Sequence, residues 1–442
     1  MSVVNPSAVE KSAMAKIIRH IIPLSIILYI INIIDRGNLG YAALDMNKAL
    51  SISPEAFGSL TAMFFVGYFF FEIPSNMLMH RTGARLWLGR IMFTWGLVTC
   101  GMFWAQNFTH VAILRILLGI MEAGFFPGMM YYFTFFFPSR YRAGIISMFF
   151  LAAPIANSIG APFATQIMAN VHWLGHDGWR WVFMIEGLLA VAGAFLTWGY
   201  LKNSPDEANW LNAEEKAWVK GELAGELANK TETEHFKLKD VFKYSTIWRL
   251  GFIYMFIQVT AQTFAFWTPT LVKEFSTSFS NTTVGWIMMM PGILGALFML
   301  WWGPHSDRTN ERIWHAGIPM LIFAAALGVI AFSDSITVKL VALALTGIGN
   351  YAFYGPYWAI PSLYLSGEAL AIGLALINSL SSFAGFAGNL IIGYIKVSSF
   401  GSTGVLVFQL LCAAVSFFLV ITLKIKKDES HSNGKTATGV AK

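Results

Sequence analysis

Charge is scarce in this 442-residue chain: Asp, Glu, Lys and Arg make up 12% of it against 56% hydrophobic residues, and the mean hydropathy is +0.58. Soluble domains carry roughly twice that share of charge, so the composition excludes a water-soluble fold and implies a chain that crosses a bilayer many times. Cysteine is nearly absent. Cys100 and Cys412 both fall in apolar runs, which argues against a disulfide framework. Residues 1–16 are polar and lack the three-part layout of a cleaved leader, so the first apolar run, beginning near Ile17, is expected to be retained. The ten-residue alternating strands of a membrane barrel are missing too, and continuous apolar runs leave helices as the spanning element. The net charge of +6 comes from scattered Lys and Arg rather than a basic stripe interleaved with aromatics, so no nucleic-acid partner is expected. No HExxH pair, P-loop, nucleophile elbow or paired cysteine ligands occur. Neither an enzyme nor an ATP-driven pump is expected, and no metal or cofactor beyond protons as coupling ion.

What is present is a series of about twelve apolar segments long enough to cross a hydrocarbon core roughly 30 Å thick. They predict helices near 17–44, 56–79, 86–105, 109–136, 143–170 and 179–201, then near 247–272, 283–304, 313–332, 336–362, 368–396 and 402–425. The expected fold is an all-α polytopic membrane protein with twelve transmembrane helices in two six-helix halves, 17–201 and 246–426. Residues 1–16, a central loop over 202–245 and a tail over 427–442 are expected in the cytoplasm, because Arg81, Arg85, Arg140, Arg142, Arg308 and Arg312 share alternate loops on that side. Trp104, Trp173, Trp179 and Trp286 are expected at the interfaces. In the central loop, Asn212 or Ala213 followed by Glu214 and Glu215 marks a helix start. The hexapeptides HRTGAR (His80–Arg85) and DRTNER (Asp307–Arg312) share Arg, Thr and Arg after the second span of each half, as an internal duplication would leave them.

Four ionisable residues stand inside the apolar runs of the first third: Asp35, Arg36, Arg115 and Glu122. Each charge at bilayer depth costs about 2.5–3.5 kcal/mol even on lenient insertion scales, so such residues persist where they function. Arg115 and Glu122, seven apart, differ by about 20° around a helix and lie on one face. A carboxyl that burial discharges and a nearby arginine recharges can take up and release a proton as helices move. The bland alternative is a static ion pair pinning the first span to the fourth. Asp35 and Arg36 diverge by about 100°, so one is expected toward a cavity and the other toward the loop network. Arg36, or alternatively Arg115, suits a substrate carboxylate through a bidentate fork. Glu72 is read as a structural acid bonded to backbone near a cytoplasmic turn, and Glu186 as a helix-end group. Arg81, Arg85, Asp307, Arg308 and Arg312 either set orientation or form inter-helix salt bridges that hold one state closed.

Polar side chains among apolar ones outline a pocket: Tyr68, Asn157, Gln258, Gln262, Asn350, Tyr354, Trp358 and Asn378. Each alone is as readily helix glue. Small-residue stretches over Ala152–Pro162 and Ser381–Asn389 suit close contacts between the halves.

The strings IIDRGNLG, FFFEIPSN, LRILLGIMEAGFFPG, WRWVFMIEG, SPDEANWLNAEEK and HSDRTNER, taken together, resemble the major facilitator superfamily and within it the anion:cation symporter family, across essentially the whole chain. That family includes carriers of sugar acids, tartrate, phthalate and 4-hydroxyphenylacetate. The resemblance implies Asp35 and Glu122 as the protonating pair, Arg36 and Tyr68 as substrate contacts, and Asn378 and Trp358 as pocket residues. Pro154 stands where sugar-acid carriers have a glutamine and Ile33 where they have a tyrosine, which leaves room for a less hydroxylated or aromatic acid. His80 replaces the loop aspartate of the first half, whereas Asp307 keeps that of the second.

The expected protein is thus a proton-coupled symporter importing a small organic anion by alternating access. It is expected as a monomer in the plasma membrane, the inner membrane of a Gram-negative cell. A facilitator or exporter of neutral solutes is the alternative within transport, and a transporter-like nutrient sensor the alternative outside it.

Overall fold

A computed structural model describes residues 7–230, 245–364 and 367–423. Among these, twelve helices are long and apolar enough to span a bilayer: span 1 (Ala8–Ala49), span 2 (Pro54–Thr82), span 3 (Ala84–Trp104), span 4 (Phe108–Phe133), span 5 (Ser139–Asn170), span 6 (Gly178–Tyr200), span 7 (Ser245–Lys273), span 8 (Asn281–Thr309), span 9 (Ile313–Phe332), span 10 (Ile336–Ala359), span 11 (Leu376–Val397) and span 12 (Gly401–Ile421). Side-chain caps fix several starts. Ser53 Oγ accepts from Ala56 N at 3.3 Å with Pro54 in the first turn, and Ser280 Oγ accepts from Thr283 N at 3.0 Å. The tail 427–442 and the part of the central loop after Lys230 lie outside the described residues.

Span 1 begins at Ala8, well before Ile17. Ser7 Oγ caps it through Glu10 N at 3.1 Å, and Glu10 accepts from Arg140 Nη2 and Tyr141 Oη, both at 2.7 Å. These long-range bonds hold a polar first turn that hydropathy alone assigns to a tail. Span 6 begins at Gly178, and Trp179, in its first turn, is buried. Its ring lies under the Arg180 guanidinium, which donates to the Phe103 and Ala105 carbonyls at 2.6 Å each. Trp104, Trp173 and Trp286 are exposed.

The halves meet through spans 1 and 7, 2 and 11, and 5 and 8. At the end holding the 50–53 and 274–280 turns the approach is at backbone distance. A Cβ on Gly58 would stand 2.6 Å from the Asn389 carbonyl, and Asn281 Nδ2 bonds both Asp45 oxygens at 2.9 Å. The small residues Pro154, Ser158, Ala161 and Thr165 of span 5 receive Gly285 and Gly292 of span 8. The duplication extends to the backbone, since Gly83 and Asn310, at the same place in the two hexapeptides, both take a positive φ, 87° and 49°.

The central loop holds an amphipathic helix, Ala213–Lys230, docked under the first half. Asn212 and Glu215 cap it reciprocally, each backbone N–H bonding the other's side chain at 2.8 Å. Glu215 also takes Lys16 Nζ at 2.8 Å and Ser12 Oγ at 2.6 Å, while Glu222 and Glu226 pair with Arg140 and Arg142. Burial opposes charge on Glu215, yet the bonds from Lys16, Ser12 and Asn212 outweigh it and hold its carboxyl down at about 2. A depressed carboxyl contributes stability that is complete above its ordinary value near 4.5 and fades as the pH falls toward 2. Glu215→Gln should lose about 2 kcal/mol of docking, seen at neutral pH as roughly thirty-fold faster trypsin cleavage after Lys216 and Lys220. The gap from the native protein should narrow below pH 4. Equal cleavage at neutral pH would mean that the pair does not hold the helix.

Candidate functional site

Span 4 is broken where its acid stands. Its first helix ends at Glu122, Ala123 is extended, Gly124 takes φ 91°, and a second helix runs Phe125–Phe133. Glycine is required at 124 on two counts, since an L side chain rarely adopts that φ and a Cβ would lie 2.5 Å from Ser75 Oγ. Span 10, the equivalent helix of the second half, keeps helical dihedrals through Phe353, φ −61° and ψ −41°. A broken helix at mid-depth exposes backbone and side chains to a central site.

Glu122 sits at a helix C-terminus, where the dipole disfavours an anion, and it is fully buried. The compensating cation is Arg36, whose Nε donates to Glu122 Oε1, with Asn32 Nδ2 on the same oxygen at 2.7 Å. Arg115 is buried on the face of span 4 that carries Glu122, but it is not the acid's ion-pair partner. Its Nε reaches the Leu60 carbonyl at 3.4 Å, and its guanidinium lies over Phe64 at 4.9 Å and over Phe266 of the second half at 5.6 Å. The pair joins spans 1 and 4, as in the alternative reading of the sequence, because Arg36 reaches the carboxyl at the helix break. Glu122 Oε2 has no hydrogen-bond partner.

Arg36 is about a third exposed, with its guanidinium over the Tyr68 ring at 5.0 Å and the Phe64 ring at 5.3 Å. Asp35 points not to a loop network but to span 3, accepting from Thr99 Oγ1 at 3.0 Å. Tyr29, near Arg36, begins a run of aromatic rings that reaches the second half. Tyr29 stacks on Phe149 with centroids 4.3 Å apart, and Phe150 lies parallel to Tyr354 of the second half at 6.3 Å. Tyr354 Oη donates to Gln258 Oε1 at 2.7 Å, and Trp358 packs on Tyr254 at 4.9 Å with its Nε1 unbonded. Gln262 is half-buried on span 7, one turn from Gln258. Asn157 gives its amide to the Ala153 carbonyl of its own helix at 3.0 Å and lies beside Tyr351 of the second half.

Glu72 is not the local backbone-bonded acid expected. Its carboxylate receives Asn378 Nδ2 at 3.4 Å, across the two halves, because span 2 continues nearly three turns beyond it to Thr82. The other candidate gating residues stay within their own halves. Arg85 holds the Trp198 carbonyl at 2.6 Å and Asn203 Oδ1 at 3.0 Å through its backbone N–H, Arg81 is exposed, Asp307 pairs with Arg312 at 2.6 Å, and Arg308 is exposed. Among the described residues, no hydrogen bond or ion pair of these five bridges the halves. Glu186 lies eight residues inside span 6 and is buried, not at a helix end.

Sequence reasoning passed over Tyr29, Asn32, Asn38 and Thr99. Asn32 and Asn38 stand three residues either side of Asp35, a spacing that puts three polar side chains on one face of an apolar helix and could have exposed them.

The chain matches the Major Facilitator Superfamily over residues 25–389. It is 37% identical over 431 residues to a protein of Agrobacterium vitis named for tartrate transport, covering 98% of both chains. It is 34% identical over 418 residues to NicT of Pseudomonas putida, named for metabolite transport, covering 94% of this chain and 95% of that one. Among solved structures, a partially occluded inward-open conformation of the Escherichia coli xylose transporter XylE superposes with a TM-score of 0.72 at 14% identity, covering 91% of this chain and 96% of the other. The protein is a multi-pass membrane transporter, not an enzyme, and it belongs to the major facilitator superfamily.

Proposed function

We propose that the protein is a proton-coupled symporter that imports a small organic anion, with a carboxylate bound at Arg36 and its carbon skeleton between aromatic rings. The observation that carries this reading is the buried pair between Arg36 and Glu122, with Glu122 Oε2 left unbonded. A substrate carboxylate and Glu122 compete for one guanidinium. Taking Arg36 from an ionised Glu122 strands a buried charge, a penalty of about 3–5 kcal/mol, or roughly a hundred- to several-thousand-fold in affinity. A proton on Oε2 removes that penalty. Anion and proton therefore bind together, which is the requirement of symport. Tartrate, for which a close relative is named, is the first probe; the aromatic rings suit a flat or aromatic acid as well.

Alternating access follows from the contacts between halves. With the basic loops facing the cytoplasm, both described terminal ends and the linker helix lie inside, and the end closed by Gly58, Asp45 and Asn281 lies outside. Opening that end admits the anion and its proton; reclosing it carries both inward. Asp35 offers a place for a second proton. One proton per monoanion moves no net charge, whereas a second couples transport to the membrane potential at about 2.3 kcal/mol per 100 mV.

Proteoliposomes with an imposed pH gradient test the reading. Radiolabelled tartrate, or an aromatic acid if tartrate does not bind, should accumulate above equilibrium under an inward proton gradient and only equilibrate when it is collapsed by an uncoupler. Accumulation that ignores the gradient defeats symport and favours a facilitator.

A further inference from the structure

On the side of span 1 away from Arg36 lies a second acid pair. Glu186 is 1% exposed, and neither of its carboxylate oxygens has a hydrogen-bond partner. Asn38 lies between it and Asp35. The Asn38 Nδ2 donates to Asp35 Oδ1 at 3.4 Å, Thr99 Oγ1 donates to Asp35 Oδ2, and Asn38 Oδ1 is itself an orphan. The other titratable groups facing Glu186 are Tyr41 of span 1 and Cys100 of span 3, whose Sγ meets the Met184 carbonyl at 3.6 Å. Span 5, also packed on span 6, brings no titratable side chain over Ala152–Asn170. Arg180, on the same helix, is held by the Phe103 and Ala105 carbonyls.

A buried carboxylate without a donor or a cation is expensive, so such a group keeps its proton. Once protonated, its O–H can donate to Asn38 Oδ1, which also lacks a partner. Two donors on Asp35 and none on Glu186 place the negative charge on Asp35 and the proton on Glu186. Turning the Asn38 amide over gives the mirror arrangement, since its O and N are interchangeable in shape. Asp35 is then protonated and donates to Oδ1, while Nδ2 donates to an ionised Glu186.

We propose that Glu186 is a further proton-binding group of the carrier, sharing one proton with Asp35 through a reversible turn of the Asn38 amide. The O–H bond at one carboxyl breaks and one at the other forms, the proton passing by water admitted when the halves part, and the net charge of the trio stays at one negative. Glu186 is about 12 Å along span 6 from Gly178, whereas Glu122 is about 21 Å along span 4 from Phe108. From the end closed in this state, Glu186 is therefore met before Glu122. The assignment rests on the proton-symport reading for its purpose, but its test needs no substrate.

Infrared spectra of the full-length protein in lipid bilayers, without ligand, read the proton directly. The native spectrum at neutral pH should contain a protonated-carboxyl C=O band that shifts in D2O, disappears on alkalinisation, and is missing in Glu186→Gln. In Asn38→Leu the same band should move to higher frequency, as for a carbonyl whose acid has lost its hydrogen bond. Size-exclusion elution as a single peak is the folding check; if Glu186→Gln does not pass it, the shift in Asn38→Leu decides. A Glu186→Gln spectrum that superposes on the native one overturns the proposal, as does a band that neither exchanges nor titrates. Failure of gradient-driven uptake with the band behaving as described would remove the symport reading and leave Glu186 as a proton site.

Discussion

Arg36→Ala should abolish carboxylate binding: the thermal shift given by any transported acid is expected to vanish, and Arg36→Lys should weaken binding by one to two orders of magnitude through loss of the planar fork. The alanine variant does a second thing. It strands Glu122, whose Oε1 would retain only the Asn32 amide at 2.7 Å, so the protein without ligand should also melt earlier, by the equivalent of about 3–5 kcal/mol at a pH where Glu122 is ionised. Combining Arg36→Ala with Glu122→Gln separates the two effects. The double variant removes both charges, keeps the shape and the Asn32 bond, and should recover most of the lost stability while still failing to bind. Recovery of binding in the double variant would show that the anion docks elsewhere, with Arg115 the next candidate.

The twelve spans were legible because eighteen or more apolar residues in a row admit few structures, and the charges inside them drew attention to Asp35, Arg36, Arg115 and Glu122 for the same reason. What the spacing of residues could not supply was the partner of each. Arg115 and Glu122 share a helix face, yet which cation reaches the acid is decided by the depth of span 1 against span 4 and by the break at Ala123 and Gly124. The string FMIEG shows Glu186 close to a Trp-Arg-Trp cluster typical of an interface, and so hides the eight helical residues that carry the carboxyl inward. Glu72 likewise depends on a contact with Asn378, 306 residues away in the chain. Local signals did better. The Asn212 and Glu215 cap, and the two hexapeptides at equivalent helix ends, depend only on neighbours along the chain.

Glu122→Gln should disconnect transport from the proton gradient. The substitution preserves volume and the acceptor that Asn32 uses, so the bundle is expected to keep its shape, but the side chain no longer carries a charge to reclaim Arg36. In the native protein an ionised Glu122 competes with the substrate carboxylate for the guanidinium. In the variant that competition is gone, and binding should be tighter than in the native protein with Glu122 ionised by roughly the hundredfold or more that a stranded charge entails. Exchange of labelled for unlabelled substrate, which requires only that the loaded carrier turn over, should continue. Uptake against a concentration gradient should stop, since substrate can then enter and leave without a proton. Concentrative uptake that survives in Glu122→Gln would transfer the coupling to Asp35 and its neighbours, and the competition for Arg36 would no longer be the step that joins proton to anion.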